Sequence, residues 1–266
     1  MPAACGLYDP AREVDSCGVA GIVDVHGRRS HRVVADALAA LRALAHRTAS
    51  GREPDSGDGA GITVTVPWEL NRETVALDLP APRHYATGLC FLPRDTARRD
   101  TARRIVESLA AAEGLDVLGW RDVPVDPHGA HLGDTAERSR PHIAQLFVAP
   151  TVAHPSGHDP GIDLDRAVHP LRRRAEHECA VHGVPVYFPS LSARTIVYKG
   201  MLTVGQLPLF YPDLRDPRCV SAIALVHGRY STNTFPAWPL AQPFRYCAHN
   251  GEINTIRGNR ARMRAR

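Results

Sequence analysis

The chain has 266 residues, 44% of them hydrophobic and 23% charged, with a formal net charge of +4. That length and composition fit a globular protein with core enough to fold without disulfide staples, and they exclude wholesale disorder. A charge this small, spread along the chain, does not point to nucleic acid, and no apolar run approaches the roughly 20 residues of a membrane-crossing helix.

From the N-terminus, MPAACGLYDP has neither a basic segment nor an apolar stretch, so no secretory signal is expected and the cytoplasm is the expected compartment. Residues 17–25 (CGVAGIVDV) alternate small and β-branched side chains and predict a buried strand, turned at His26-Gly27. Ser30 is placed to cap a helix whose apolar positions Val33, Val34, Ala37, Leu38, Leu41 and Leu44 recur at helical spacing, ending near His46-Arg47. A turn-rich stretch, GREPDSGDGAG at 51–61, leads to a strand at 62–66, and 86–92 (ATGLCFL) predicts another. An amphipathic helix is expected over 95–113, with Ile105, Val106 and Leu109 inward and Gly114 as its stop.

After Trp120 the chain turns Pro-, His- and Asp-rich before a strand at 143–149. Residues 150–190 carry no clear periodicity. Strands are expected again at 195–198, 222–226 and around 246–249. This order suggests an α/β or α+β sheet with helices packed on it. Lys199 is the only lysine, and the predominance of arginine reads as coding bias.

Six cysteines, Cys5, Cys17, Cys90, Cys179, Cys219 and Cys247, are irregularly spaced and form no CxxC pair, which disfavours zinc and iron–sulfur sites. Reduced, mostly buried thiols are expected. Cys17 differs by its place. It opens a strand behind a short leader, where clipping would leave its own α-amine, with a pKa of about 8, to take the thiol proton. The bland alternative is a buried strand cysteine.

Two later stretches bear on that choice. HGRYSTNT at 227–234 follows an apolar strand and sets Arg229 among hydroxyls, suited to bidentate capture of a carboxylate. AHNGEIN at 248–254 offers the Asn250 amide and the Gly251 backbone N–H as two oxyanion donors, or else a type I′ hairpin turn. Other features read as structure. His177, Cys179 and His182 lack a second ligand pair, and Asp55-Ser56-Gly57-Asp58-Gly59 lacks the terminal glutamate of a calcium loop, so no metal is expected. The arginines at 172–174 and from Arg257 to Arg266 have no interleaved aromatics, so nucleic acid is not expected as a partner.

The segments DSCGVAGIVD, HRTASGREPDSGDGAGI, ARTIVYKGML and LVHGRYSTNTFPAWPLAQPFRYCAHNGEINTIRGN resemble, in that order, the N-terminal glutaminase domain of the glutamate synthase large subunit, a class II glutamine amidotransferase and N-terminal-nucleophile hydrolase. The resemblance runs from Gly6 to the last residue. It implies an α+β fold, the four-layer αββα sandwich of N-terminal-nucleophile hydrolases, incomplete at the C-terminus. It implies a propeptide at 1–16 and a partial amidotransferase domain at 17–266. Cys17 matches the nucleophile, Arg229 the arginine that pairs with the glutamine α-carboxylate, and Thr232 its neighbouring hydroxyl contact. Asn250 and Gly251 match the oxyanion hole, and Arg47 matches the arginine of a His-Arg-Gly turn near the nucleophile. Thr48 stands where the family has glycine, so a strained or shifted turn is expected there if the position needs positive φ.

The implied reaction is hydrolysis of glutamine to glutamate and ammonia through a cysteinyl thioester. In the family the ammonia serves reductive amination of 2-oxoglutarate in a downstream domain. No cofactor is expected within these residues; FMN and an iron–sulfur cluster belong to domains that would lie further on. The resemblance also implies that the acidic residue binding the glutamine α-ammonium lies beyond Arg266. The chain is therefore read as a fragment, a split subunit completed by a separate chain, or a decayed copy. The competing reading is an inactive piece serving only as a binding or assembly module.

Overall fold

Two antiparallel sheets organise the chain, and the computed structural model describes residues 17–50, 53–152, 159–230, 234–245, 247 and 256–266. The first sheet is built from β1 (Gly18–Val23), β2 (Ala60–Thr65), β6 (Thr195–Gly200) and β7 (Ile223–Gly228), in the order β1-β7-β2-β6. The second is built from β3 (Ala86–Leu92), β4 (Leu115–Asp122) and β5 (His142–Pro150), in the order β3-β5-β4. The result is the mixed α and β content expected, with every strand pairing antiparallel.

β3 has the bounds its sequence predicts, because ATGLCFL is buried on both faces and bounded by turns. β1 corrects its expectation. Among the described residues it is an edge strand, not a buried one, paired with β7 alone and leaving Val23 60% exposed. α1 (His31–Ala43) lies against β1 and β7 and buries Val33, Val34, Ala37, Leu38 and Leu41. Each fully buried Val or Leu of this kind stabilises by about 1.5–3 kcal/mol. Ser30 does not cap α1 with its side chain; its backbone N–H and carbonyl instead bond Ser221, at 3.0 and 3.1 Å. α2 (Trp68–Thr74) follows β2.

α3 (Thr96–Ala112) is capped by the Asp95 carboxylate, which accepts from Arg98 N at 2.9 Å, and Gly114 leaves it at φ 71°. It packs with α5 (Pro160–Val181), which occupies the stretch where the sequence shows no periodicity. Pro170 is the reason that stretch reads poorly: an interior proline forfeits a helix hydrogen bond, at about 3 kcal/mol in isolation. Leu164, Val168, Leu171, Ala175 and Cys179, buried with Ala102 and Val106 of α3 and Ala86 and Cys90 of β3, outweigh it. The basic run sits on α5, where Arg172 is buried and paired with Glu176 at 3.1 Å.

Three shorter elements follow: α4 (Asp134–Arg138), α6 (Leu207–Phe210) and α7 (Ile256–Ala265), the last within the arginine-rich tail. The strand expected around 246–249 falls largely outside the described residues; Cys247, the one described there, forms an isolated bridge with Phe244. No helix among the described residues is long and apolar enough to cross a membrane.

The turn-rich 53–59 segment is tied down by a carboxylate. Glu53 accepts from Asp134 N at 2.8 Å, Thr135 N at 3.0 Å and Ser56 Oγ at 2.6 Å, fixing the start of α4. The Ser56 hydroxyl foremost, and then Thr135, hold the Glu53 carboxyl down to about 2. A depressed carboxyl stabilises above its ordinary range near 4.5 and loses that contribution as pH falls toward 2. We expect Glu53→Gln to flatten this part of the acid response: between pH 7 and pH 3 the urea midpoint should fall further in the wild type than in the variant. Equal falls would contradict the assignment.

Candidate active site

Antiparallel pairing of β1 with β7 places Gly18 opposite Gly228, so the residue before β1 meets the residues after β7. Cys17 lies there, 4% exposed, and the Tyr230 backbone N–H donates to its Sγ at 3.4 Å. The Sγ stands equally far, 3.4 Å, from the Tyr230 carbonyl. A thiol held between a main-chain donor and acceptor is fixed in place without losing access to its proton.

Arg229, one residue on, is also buried, at 6% exposure. Its backbone N–H donates to Gly59 O at 2.7 Å, and one guanidinium nitrogen donates to Asp58 O at 3.3 Å and lies 3.9 Å from the Asp58 carboxylate. The other donates to the Thr234 hydroxyl. The Arg229 carbonyl accepts from Ala49 N, and Ala49 O accepts from Asp58 N. Ala49, Asp58, Gly59 and Thr234 are thus laced to one arginine through its main chain and its guanidinium.

Asp58 is the member sequence reasoning missed. The sequence reads it as part of a structural turn, yet it is buried beside Arg229 as a counter-charge. Its GDG setting was the available signal, since glycines on both sides permit close backbone approach.

Arg47 ends a 3-10 turn (Ala45–Arg47) directly after α1. A side chain at Gly18 would meet Leu44 Cβ at 3.0 Å and Arg47 Cβ at 3.7 Å, so the Arg47 stem flanks the start of β1. The condition for strain at Thr48, a positive φ, is not met: it is extended, at φ −125° and ψ 154°, a region open to any residue. Its hydroxyl donates to Ala45 O at 2.8 Å, and its Cγ2 occupies the space a side chain at Gly228 would need.

Of the sequence-nominated residues, the structure gathers Cys17, Arg229 and Arg47 about the meeting point of β1 and β7. Thr232, Asn250 and Gly251 lie outside the described residues. His177 and Cys179 do not share a face of α5: His177 is exposed, whereas Cys179 is buried with its Sγ 3.9 Å from Ala102 O. Asp55 to Gly59 forms the loop just described, and the described residues hold no cluster of three or more metal-ligating side chains.

Residues 17–266 match the family model of the glutamine amidotransferases class-II. The whole chain is 42% identical, over 267 residues, to the glutamate synthase (NADPH) large chain of Bacillus subtilis and covers 17% of it. It is likewise 42% identical over 270 residues to ferredoxin-dependent glutamate synthase 1, chloroplastic/mitochondrial, of Arabidopsis thaliana, covering 16% of that protein. Glutamate synthase (NADH) of Saccharomyces cerevisiae is 40% identical over 274 residues, with 13% covered. The chain therefore spans about a sixth or less of the length of these curated relatives.

Proposed function

The chain belongs to the class-II glutamine amidotransferases, and from that premise we propose that it is a glutaminase with Cys17 as its nucleophile. The observation that carries the proposal is the juxtaposition of a buried thiol and a buried arginine: Cys17 Sγ touches Tyr230, the neighbour in sequence of Arg229. A nucleophile beside a fixed cation suits a substrate with both a scissile amide and a carboxylate, and favours the catalytic reading over a binding module.

The steps balance as follows. Cleavage of the 1–16 leader frees the α-amine of Cys17, which accepts the thiol proton. The thiolate forms a C–S bond to the side-chain carbonyl carbon of glutamine, and the tetrahedral oxyanion rests on the Asn250 amide and Gly251 N–H, assigned by resemblance. The α-ammonium returns its proton to the departing nitrogen, the C–N bond breaks and ammonia leaves. Water then attacks the thioester, releasing glutamate and restoring the thiol. Arg229 holds the α-carboxylate with Thr232 beside it, Asp58 lies against the guanidinium as a counter-charge, and Arg47 flanks the start of β1.

The two antiparallel sheets, each carrying helices, fit a four-layer αββα sandwich. The names of the longer relatives suggest that the ammonia supplies a glutamate synthase, with 2-oxoglutarate amination, FMN and an iron–sulfur cluster assigned to domains outside these residues. A cytoplasmic setting suits that chemistry.

The test is labelling with a glutamine-mimicking diazoketone, read by intact-protein and peptide mass spectrometry. The expected product begins at Cys17 and carries one adduct there, and glutamine protects it. Arg229→Lys, which keeps the charge but loses the planar fork, should slow labelling by roughly 10- to 100-fold, the worth of one charged hydrogen bond. An unlabelled Cys17 in a chain beginning at Met1 or Pro2 would overturn the proposal.

A further inference from the structure

The only lysine of the chain is fully buried, with 0% exposure, in a protein that otherwise uses arginine for positive charge. Lys199 sits on β6, and its Nζ donates to the Ala241 carbonyl at 2.6 Å, the Tyr187 hydroxyl at 2.9 Å and the Pro239 carbonyl at 3.0 Å. The Phe244 and Tyr187 rings lie 4.2 and 4.9 Å from it. Three acceptors around one nitrogen match the three donors of an ammonium, a geometry the planar guanidinium cannot reproduce. Coding bias toward arginine thus spares one position, where a compact, tetrahedral amine sits among three acceptors that oppose the downward push of burial on its pKa.

What Lys199 holds is the segment from Pro239 to Ala241, and that segment backs the arginine clamp. Gly59 has a φ of 143°, and a side chain there would come within 2.9 Å of Ala241 Cβ and 3.0 Å of Ala241 Cα, so the two backbones are in direct apposition. Gly59 O is the acceptor for Arg229 N at 2.7 Å, and Asp58 before it supplies the acceptor for the guanidinium. Gly61 is equally tight, since a side chain there would lie 2.4 Å from Gln242 O and 2.6 Å from Lys199 Cβ. A continuous path of contacts therefore runs from the ammonium through Ala241 and Gly59 to Arg229.

We propose that Lys199 is a positioning residue for glutamine binding: it anchors residues 239–241 against Gly59 and so fixes the guanidinium of Arg229 where the substrate carboxylate docks. The inference rests on the glutaminase reading, in which Arg229 meets that carboxylate. It places the effect of Lys199 in substrate affinity, since neither the thiol nor its backbone partners are among its contacts.

Because there is one lysine, selective incorporation of isotopically labelled lysine gives one side-chain NMR signal that needs no assignment. In the native chain this signal should move on adding glutamine and saturate with the concentration dependence of hydrolysis. Lys199→Met should raise KM by about tenfold or more while kcat stays within about threefold, because a misplaced clamp weakens docking and leaves the nucleophile in place. A signal unmoved by saturating glutamine in a protein that hydrolyses it, or a Lys199→Met variant with unchanged KM, overturns the proposal and leaves the glutaminase reading intact. A wild-type chain that neither hydrolyses glutamine nor takes the diazoketone overturns the glutaminase reading itself, and the proposal with it. Should Lys199→Met fail to fold, the wild-type NMR titration still decides.

Discussion

Cys17→Ser should leave a folded protein whose glutamine hydrolysis is reduced by about a thousandfold or more, as removal of a covalent nucleophile does elsewhere. Serine is smaller than cysteine, the Tyr230 backbone can bond a hydroxyl as it bonds the thiol, and the rest of the β1–β7 junction is untouched. The near-neutral pKa of an α-amine suits activation of a thiol far better than of an alcohol, so the serine variant gains little from its base. The measurement is ammonia release at saturating glutamine alongside far- and near-UV circular dichroism. Turnover within about tenfold of wild type in a folded variant would remove Cys17 from the mechanism.

The largest effect on stability is expected at a buried ion pair between the two sheets. Arg121 on β4 makes a two-pronged contact with Asp213, both distances 2.8 Å, with side chains only 10% and 4% exposed. Asp213 also accepts from the Tyr198 hydroxyl of β6 at 3.2 Å, and Arg121 donates to Gln145 Oε1 of β5 at 3.0 Å. Asp213→Ala strands a buried guanidinium and should cost about 3–5 kcal/mol, a large part of the 5–15 kcal/mol that holds a typical domain together. Adding Arg121→Met should recover part of the loss, because the stranded charge goes with its partner. Urea titrations of the wild type and these two variants test this. A single-variant cost below about 1 kcal/mol would show that water reaches the pair.

How much was legible in the sequence follows from how local each signal is. β3 and α3 were readable because seven apolar or small residues, and a capped helical stripe ending at Gly114, declare themselves within one window. α5 was not, because Pro170 interrupts its pattern and its buried face includes Arg172, whose partner Glu176 also accepts from Phe188 N at 3.2 Å. Cys17 and Arg229 were nominated from their own neighbourhoods and by resemblance. Their meeting depends on β1 pairing with a strand some two hundred residues later, which no local pattern encodes. Strain at Thr48 was expected only if the position needed positive φ; it does not, and Thr48 fills the notch over Gly228, since whether a position needs glycine depends on its neighbour's shape as well as its own φ. Asp58 and Lys199 passed for loop and coding bias because burial is what gives either of them meaning.

The enclosure of that one ammonium also sorts the chain's amines chemically. With Lys199 sealed behind carbonyls and rings, an acylating reagent aimed at primary amines finds no exposed lysine in the chain. In most enzymes such reagents modify dozens of surface lysines and report nothing. Here no lysine competes, so in a chain cleaved before Cys17, as proposed above, such a reagent would report on the α-amine proposed as the base.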